Sequence, residues 1–434
     1  MTTTRVMILE TAGPESAAIV AAAVAAGHQV HAVTQTGDPT NADIRHHLSG
    51  CLRTDFSQPE QALTDIVGYA RRIGANAVLT TNEYLTPLLA EVCATLGLPG
   101  NDPDRASAAR SKATMSQAFT RAGVTAPRTH AVDSQDDLLD LLAAGRIAFP
   151  CVIKPAAGAG SAGITVATTA AQAIAAYQSA AIPRGMYGMA LDPQVLIQDY
   201  VHGTEYSVES ITQHGTSTHL CVTRKTLTPG AHRVEVGHAL PAALPPDLER
   251  AVIRQVDLAI AAVGIRNGAS HTEVILTPTN ECMVIEIGAR IGAGQIGFLI
   301  HHALGIDPWT ACLDIALDRP AQLTATRADY ATVRFLTSPR PGRLVTLTGL
   351  PERNARVPMV RLRTSIGDTI RGTADNAARL GSFVVVGSDP KSVDLYADHL
   401  LSRVRIETDP VDTSHSNATT ETADAFQGSR TNHS

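Results

Sequence analysis

Two glutamates, Glu273 and Glu286, stand at opposite ends of a short apolar segment, and Arg290 follows the second by four positions. The apolar runs around Val274–Leu276 and Met283–Ile285 predict two short strands, with Pro278, Thr279 and Asn280 supplying the turn of a hairpin. Folding that hairpin sets the two carboxylates side by side. Like charges so placed repel unless a cation sits between them. Mg²⁺ held by one or two protein carboxylates and by substrate phosphate oxygens is the usual solution in phosphoryl-transfer sites. The hairpin therefore predicts metal–nucleotide chemistry.

A second segment, Phe149 to Gly163, delivers Lys154 from a predicted strand into a loop containing Gly158, Gly160, Ser161 and Gly163. Backbone N–H groups of such a loop can close on phosphate oxygens while the lysine neutralises them. A flexible glycine hairpin beside a surface lysine has the same composition, and no Gly-Lys-Ser/Thr ending makes this a Walker A loop. A third segment runs from the apolar Val195–Gln198 through Tyr200, Val201 and a turn at Gly203 into a strand carrying Glu205. Its backbone suits an adenine edge and Glu205 suits ribose hydroxyls. Taken alone, an ordinary interdomain connection is the better reading.

The elements that must hold these residues are legible in outline. With 434 residues, 44% of them hydrophobic, the chain can bury more than one core. A formal charge of −6 without long single-sign blocks argues against nucleic acid and against a polybasic membrane patch. The six cysteines are scattered through apolar runs, in neither zinc-ligand nor disulfide-scaffold spacing. The N-terminus passes directly into a strand-like Val6–Leu9, and the longest apolar stretch, Ala17–Ala26, is too short to span a bilayer, so a cytoplasmic location is expected.

Residues 1–110 alternate strand-like and helical runs, predicting a parallel α/β domain. Residues 111–205 read as a linker helix and a small lid subdomain, 206–325 as a central sheet domain and 326–407 as a strand-rich C-terminal subdomain. The overall class is α/β with α+β elements. The tail, 408–434, is poor in large apolar residues and is expected to be disordered.

Taken in order, Lys112 near a helix, Lys154 with its glycine loop, the hinge from Gln198 to Glu205, and Glu273 and Glu286 with Arg290 form a series that resembles the ATP-grasp superfamily of carboxylate–amine ligases. The resemblance covers roughly residues 5 to 405. Thr80-Thr-Asn-Glu83, Leu96-Gly-Leu-Pro-Gly100, Arg224-Lys-Thr226 and Glu235-Val-Gly-His238 look like the branch of bacterial L-amino-acid ligases and carnosine-synthase-like dipeptide synthetases.

The resemblance implies ATP as substrate and Mg²⁺ or Mn²⁺, two ions, bridged by Glu273 and Glu286. It implies phosphate contacts from Lys112 and Lys154 and a closing loop from Gly158 to Gly163. Gln198, Tyr200 and Val201 would meet adenine, Gln198 standing where an acid is common, and Glu205 would hold the ribose. Gly288 stands where many of these enzymes carry a metal-binding asparagine, and small residues there are frequent among the amino-acid ligases. The implied reaction transfers a γ-phosphoryl group to a carboxylate, after which an amine attacks the acyl phosphate.

Arg290 and Lys154 would stabilise the transferring charge, and Glu83 and His238 would contact an amino-acid substrate. Glu83 also suits a helix N-terminus, and a lone histidine such as His238 is as readily structural. Lys225 and His271 are weaker candidates as neighbours of the pocket. Expected partners are small amino acids, not nucleic acid or membrane, and a homodimer is the expected assembly. Two other readings compete: an ATP-grasp carboxylase using bicarbonate, and a nucleotide-binding regulator without catalysis.

Overall fold

A computed structural model describes residues 4–36, 44–182, 185–338 and 340–410. The first sheet is built from β1 (Arg5–Leu9), β2 (Gln29–Gln35), β3 (Leu48–Thr54) and β4 (Ala77–Thr80), all parallel, in the order β3-β2-β1-β4. Helix α1 (Pro14–Ala25) crosses from β1 to β2 and α2 (Pro59–Ile73) from β3 to β4, and α3 (Thr86–Leu96) follows β4. Val6, Met7, Ile8 and Leu9 are fully buried, as both faces of a covered parallel strand require. The carboxyl edge, where such sheets bind ligands, carries Glu10 after β1 and Glu83 after β4.

The segment from Ser107 to Ala122 has helix-forming composition throughout, yet it is not one helix. A 3₁₀ turn at Ala106–Ala109 ends at Arg110, and α4 (Lys112–Ala122) starts afresh with Ser111 as its cap, the Ser111 hydroxyl accepting from the Thr114 N–H at 3.3 Å. Lys112 therefore opens a helix, and its own N–H donates to the Ala156 carbonyl of the glycine loop at 2.8 Å.

A small second sheet, order β5-β8-β6-β7, comprises β5 (Thr129–Val132), β6 (Cys151–Pro155), β7 (Thr165–Ala167) and β8 (Val195–Asp199), backed by α5 (Gln135–Ala143) and α6 (Ala170–Ala180). The glycine loop joins β6 to β7. Its Gly160 carbonyl accepts from the Asn376 N–H at 3.1 Å, and Val166 N–H donates to Ala231 at 3.1 Å, so the lid lies down on the main body.

The main body is one eight-stranded sheet, order β13-β12-β9-β10-β11-β14-β18-β16. It takes β9 (Thr204–Gln213), β10 (Thr216–Leu227), β11 (Glu235–Leu240), β12 (Gly268–Leu276) and β13 (Cys282–Gly288) from the central region. From the C-terminal region come β14 (Tyr330–Leu336), β16 (Met359–Leu362) and β18 (Gly381–Gly387), so the expected border near 325 crosses a continuous sheet.

Helix α7 (Pro246–Ala262) buries Val252, Val256, Ala259 and Ile260, one helical stripe, against Val208, Val274, Val284 and Ile287. Full burial of each Val or Ile contributes roughly 1.5–3 kcal/mol, which fixes β12 and β13 under the site. Helices α8 (Ile296–Leu304) and α9 (Pro308–Ala316) join this body to the first sheet, with Trp309, Leu313 and Ile315 packed beside Ile8 and Leu79.

A fourth sheet, β17-β15-β19, pairs β15 (Gly342–Thr348) with β17 (Thr369–Ile370) and β19 (Arg405–Asp409), while α10 (Pro390–Arg403) packs on β14 and β18. The expected tail thus begins inside β19. Its remainder, 411–434, lies outside the described residues. Among the described residues no helix is long and apolar enough to cross a membrane.

Candidate active site

The hairpin forms as expected, with Asn280 in the left-handed turn at φ 62° and Thr277 N–H donating to the Glu281 carbonyl at 3.0 Å. Register then places Glu273 directly opposite Glu286. Both face a cleft lined by the polar side of the large sheet. Alternation along the strands generates that side: Glu205, Ser207 and Glu209 on β9, Thr223 and Lys225 on β10, His271 and Glu273 on β12.

Lys225 is the centre of this face. Its Nζ lies 2.7 Å from Glu205, 2.8 Å from Glu235 and 2.8 Å from Glu273, and the side chain is almost wholly buried. Burial alone would lower its pKa, but the three carboxylates hold it well above the ordinary lysine value. The glutamates share that one ammonium unequally. Burial pushes all three up. Lys225 with His238 and Arg379 pulls Glu235 well below the carboxylate range, and Lys225 with His271 does the same for Glu273. Glu205, whose ion pair is with Lys225, stays raised by its burial.

His271 carries a second layer. Its Nδ1 is 2.9 Å from Glu209 and its Nε2 is 3.4 Å from Glu273. Burial disfavours its cation, yet Glu209 and Glu273 raise it to about 9. Glu209 in turn accepts from Ser207 at 2.6 Å and from Thr223 at 3.1 Å.

Across the cleft, Lys112 Nζ is 2.8 Å from Glu286 and donates to the Gly158 carbonyl at 2.7 Å, tying the second glutamate to the glycine loop. A Cβ at Gly158 would come within 2.7 Å of Pro155 Cγ and 3.3 Å of the Ala162 carbonyl, so this tight loop requires glycine there. Lys154 is buried and donates to Gln198 Oε1 at 2.9 Å. Burial, reinforced by Lys112, brings its pKa down to about 8, against the pull of Glu286, Glu273 and Glu205.

Arg290 extends from the end of β13 to Glu83, its Nε donating at 3.0 Å and an Nη closing a second contact to the same oxygen. Arg110 stands at 3.8 Å on the other Glu83 oxygen, with its guanidinium 4.0 Å over the Tyr84 ring and an Nη donating to Ala157 at 2.5 Å. Burial raises Glu83, but Arg290, Lys112 and Arg110 bring it down to about 2.

The structure thus gathers Lys112, Lys154, Glu205, Glu273, Glu286, Arg290 and Glu83 around one cleft. Other expected residues sit differently. Gln198 has its carbonyl on Lys154 at 2.9 Å and its amide on Thr129 at 2.9 Å, so both ends of its amide are engaged within the protein. His238 is buried: its Nδ1 pairs with the Gly294 carbonyl at 3.0 Å, its ring packs on Phe335, and its Nε2 is 3.3 Å from Glu235, so it pins the loop after Arg290. Gly160, Ser161 and Gly163 line the loop between β6 and β7, Ser161 at φ 62°.

The sequence reading underrated Lys225 and missed Glu235, Arg110, Glu209 and Arg379. For Lys225, Glu209 and Glu235 the available signal was polar residues at period two in otherwise apolar strands, whereas Arg110 and Arg379 each follow a 3₁₀ turn. Their convergence depends on strand order, which brings β11 beside β10 and β12 beside β9.

Glu273 and Glu286 retain partial exposure to the cleft, 22% and 24%, and both offer hard oxygens. Among the described residues no three ligating side chains form a preformed metal cage. Two carboxylates with room for phosphate oxygens and water fit Mg²⁺, which usually keeps part of its hydration. A Cβ at Gly288 would meet only Arg290, near 3.8 Å, so no protein ligand comes from that position.

Comparison with known proteins agrees with this geometry. The ATP-grasp N-terminal domain family matches residues 20–100, the ATP-grasp domain family 147–298, and the L-amino acid ligase C-terminal domain 2 family 334–409. Alanine–anticapsin ligase of Bacillus subtilis (strain 168) is 26% identical over 281 residues, 60% of this chain and 58% of that protein. Carnosine synthase 1 of Gallus gallus is 27% identical over 330 residues, 72% of this chain and 35% of that protein. The chain therefore spans less than two thirds of the length of these two relatives. The crystal structure of an L-amino acid ligase from Bacillus licheniformis superposes with a TM-score of 0.81 at 19% identity, covering 94% of this chain and all of that one. With these three matches in sequence, the chain carries an ATP-grasp N-terminal domain, an ATP-grasp domain and an L-amino acid ligase C-terminal domain 2, and so belongs among the ATP-grasp proteins.

Proposed function

We propose that the protein is an ATP-dependent ligase that joins the carboxyl group of one amino acid to the amine of another, releasing ADP and phosphate. One observation carries the reading. A cross-strand carboxylate pair shares its cleft with two buried lysines that flank the glycine loop, and the arginine at the end of the same hairpin is held at the edge of that cleft by a buried glutamate. Phosphoryl transfer needs the first group of charges, and grip on a substrate carboxylate needs the second.

Glu273 and Glu286 would hold Mg²⁺ or Mn²⁺, two ions in all, which would supply positive charge to neutralise the phosphates. The chain's own groups do the rest. Lys112, already on the Gly158 carbonyl, keeps the glycine loop over the phosphates, and Lys154 faces the transferring group from a dry strand. A carboxylate oxygen of the first amino acid forms a bond to the γ-phosphorus as the bond to the β-phosphate oxygen breaks, and ADP leaves. The amine nitrogen of the second then bonds to the acyl carbon, the C–O bond to phosphate breaks, and the nitrogen sheds a proton.

Arg290 neutralises the oxygen that becomes negative in that adduct. Glu83 anchors its guanidinium, and the buried pair His238 and Gly294 fixes the loop that follows. The alanine–anticapsin ligase and carnosine synthase names support an amino acid at both positions. Incubation with ATP, Mg²⁺ and pooled amino acids should release phosphate in an amino-acid-dependent manner. Release that requires bicarbonate instead would replace this reading with a carboxylase.

A further inference from the structure

Arg110 stands at the break between the 3₁₀ turn and α4, and only 8% of it is exposed. Residues 110 to 112 are stitched to three successive carbonyls of the glycine loop. Lys112 N–H donates to Ala156 at 2.8 Å, an Arg110 Nη to Ala157 at 2.5 Å, and Lys112 Nζ to Gly158 at 2.7 Å. The same Nζ lies 2.8 Å from Glu286, while the other Arg110 Nη lies 3.8 Å from Glu83 and the guanidinium sits 4.0 Å over the Tyr84 ring. Arg110 is thus fixed where the glycine loop adjoins Glu83, two residues from the lysine that meets Glu286.

The two arginines beside Glu83 differ in how their donors are engaged. Each Arg290 nitrogen has an acceptor: Nε and one Nη on Glu83, the other Nη on the Ile291 carbonyl at 3.0 Å. Arg110 Nε and Nη1 are buried, and among the described residues neither has a hydrogen-bond partner, Glu83 at 3.8 Å from Nη1 being beyond reach. A buried charged donor without an acceptor is costly, and native proteins keep few of them. The acceptor that matches a guanidinium best is an anionic oxygen, of a carboxylate or a phosphoryl group.

We propose that Arg110 is a catalytic residue of the phosphoryl-transfer step, donating from Nε and Nη1 to the oxygens of the substrate carboxylate and of the γ-phosphoryl group. The inference rests on the ligase reading. As the carboxylate oxygen bonds to the γ-phosphorus, the bond from that phosphorus to the β-phosphate oxygen breaks and its electron pair leaves with ADP. Arg110 keeps its proton throughout and neutralises the transferring charge from the side of the glycine loop. Arg290, at the end of the hairpin, then serves the second step, in which the amine adds to the acyl carbon. Each step thereby has its own arginine, and Glu83 lies between the two.

Hydroxylamine in place of the amine-donor amino acid traps the acyl phosphate as a hydroxamate and isolates the first step. In Arg110→Gln the kcat for hydroxamate formation should fall about 100-fold or more. Its Kd for Mg·ADP, by calorimetry, should match the wild type, and so should its melting curve. Arg110→Lys, which keeps the charge and loses the planar donors, should recover part of the loss. Hydroxamate formation in Arg110→Gln at the wild-type rate would overturn the assignment. A loss that tracks weaker Mg·ADP binding or a lower melting temperature would overturn it too, since Arg110 would then only brace the glycine loop. If the wild-type protein forms no hydroxamate with any amino acid, the ligase reading itself falls, on a readout that does not involve Arg110.

Discussion

Replacing Lys225 by Met should destabilise the metal-free protein in a pH-dependent way whose sign is fixed by the three glutamates. The ammonium lies 2.7 to 2.8 Å from Glu205, Glu235 and Glu273. One such pair is worth about 4 kcal/mol at 4 Å for an effective dielectric of about 20. Desolvation offsets much of this, and removing one partner of a buried pair typically costs about 3–5 kcal/mol. At about 2–4 °C per kcal/mol for chains of some 150–250 residues, the melting temperature should fall by roughly 6–20 °C at pH 8.

In the wild type, Lys225 is raised, so its contribution is complete below the free lysine value near 10.4 and is lost only as pH passes its higher folded value. Glu235 and Glu273 are depressed, so theirs is present above about 4.3 and fades only as pH falls through lower values. Through Lys225, Glu235 and Glu273 the wild type should therefore change little between pH 5 and 8, while His271, raised to about 9, and Glu205, raised by burial, each add stability as pH falls. Without the ammonium, three crowded carboxylates bind protons more tightly than in the unfolded chain, and acidification stabilises the variant. Melting curves in EDTA at pH 8, 7, 6 and 5 should show the gap between the two proteins closing. A gap that is absent at pH 8, or that widens on acidification, would refute the argument.

Two further outcomes follow from the same cleft. Glu286→Gln removes a metal-binding charge and the partner of Lys112 while Lys112 keeps the Gly158 carbonyl, so phosphate release should fall by about 100-fold or more with a melting profile shifted only a few degrees; near-normal turnover would remove Glu286 from the metal site. Lys154, brought down to about 8 chiefly by burial, is penalised while charged in the free protein, and that penalty is relieved as pH rises from about 8 toward 10.4. Phosphates need the charged form, so the Kd for Mg·ADP should weaken about tenfold between pH 7 and 9 in the wild type and hold steady in Lys154→Arg, as titration calorimetry can check.

The parallel first domain and the glutamate hairpin were legible because each rests on local pattern: alternating strands and helices, and two short apolar runs about a turn. Lys112, Lys154 and Arg290 were legible through their order along the chain. What the sequence concealed is long-range register. Lys225 meets Glu205, Glu235 and Glu273 only because β10 lies between β9 and β11, with β12 beside β9, and nothing local to residue 225 announces that order. His238 stayed open between substrate contact and structural support for a related reason: its burial depends on Gly294 and Phe335, which come from distant segments. The break before Lys112 was hidden because Ser107 to Ala122 has helix-forming composition throughout, while the Ser111 cap and the Ala156 carbonyl interrupt it.

The most direct test of acyl-phosphate formation is isotopic. When the acyl-donor amino acid carries ¹⁸O in its carboxyl group, one labelled oxygen should leave with each phosphate released, because that oxygen bridges carbon and phosphorus before the amine displaces it. Phosphate released without label, at a rate matching ATP consumption, would contradict the account.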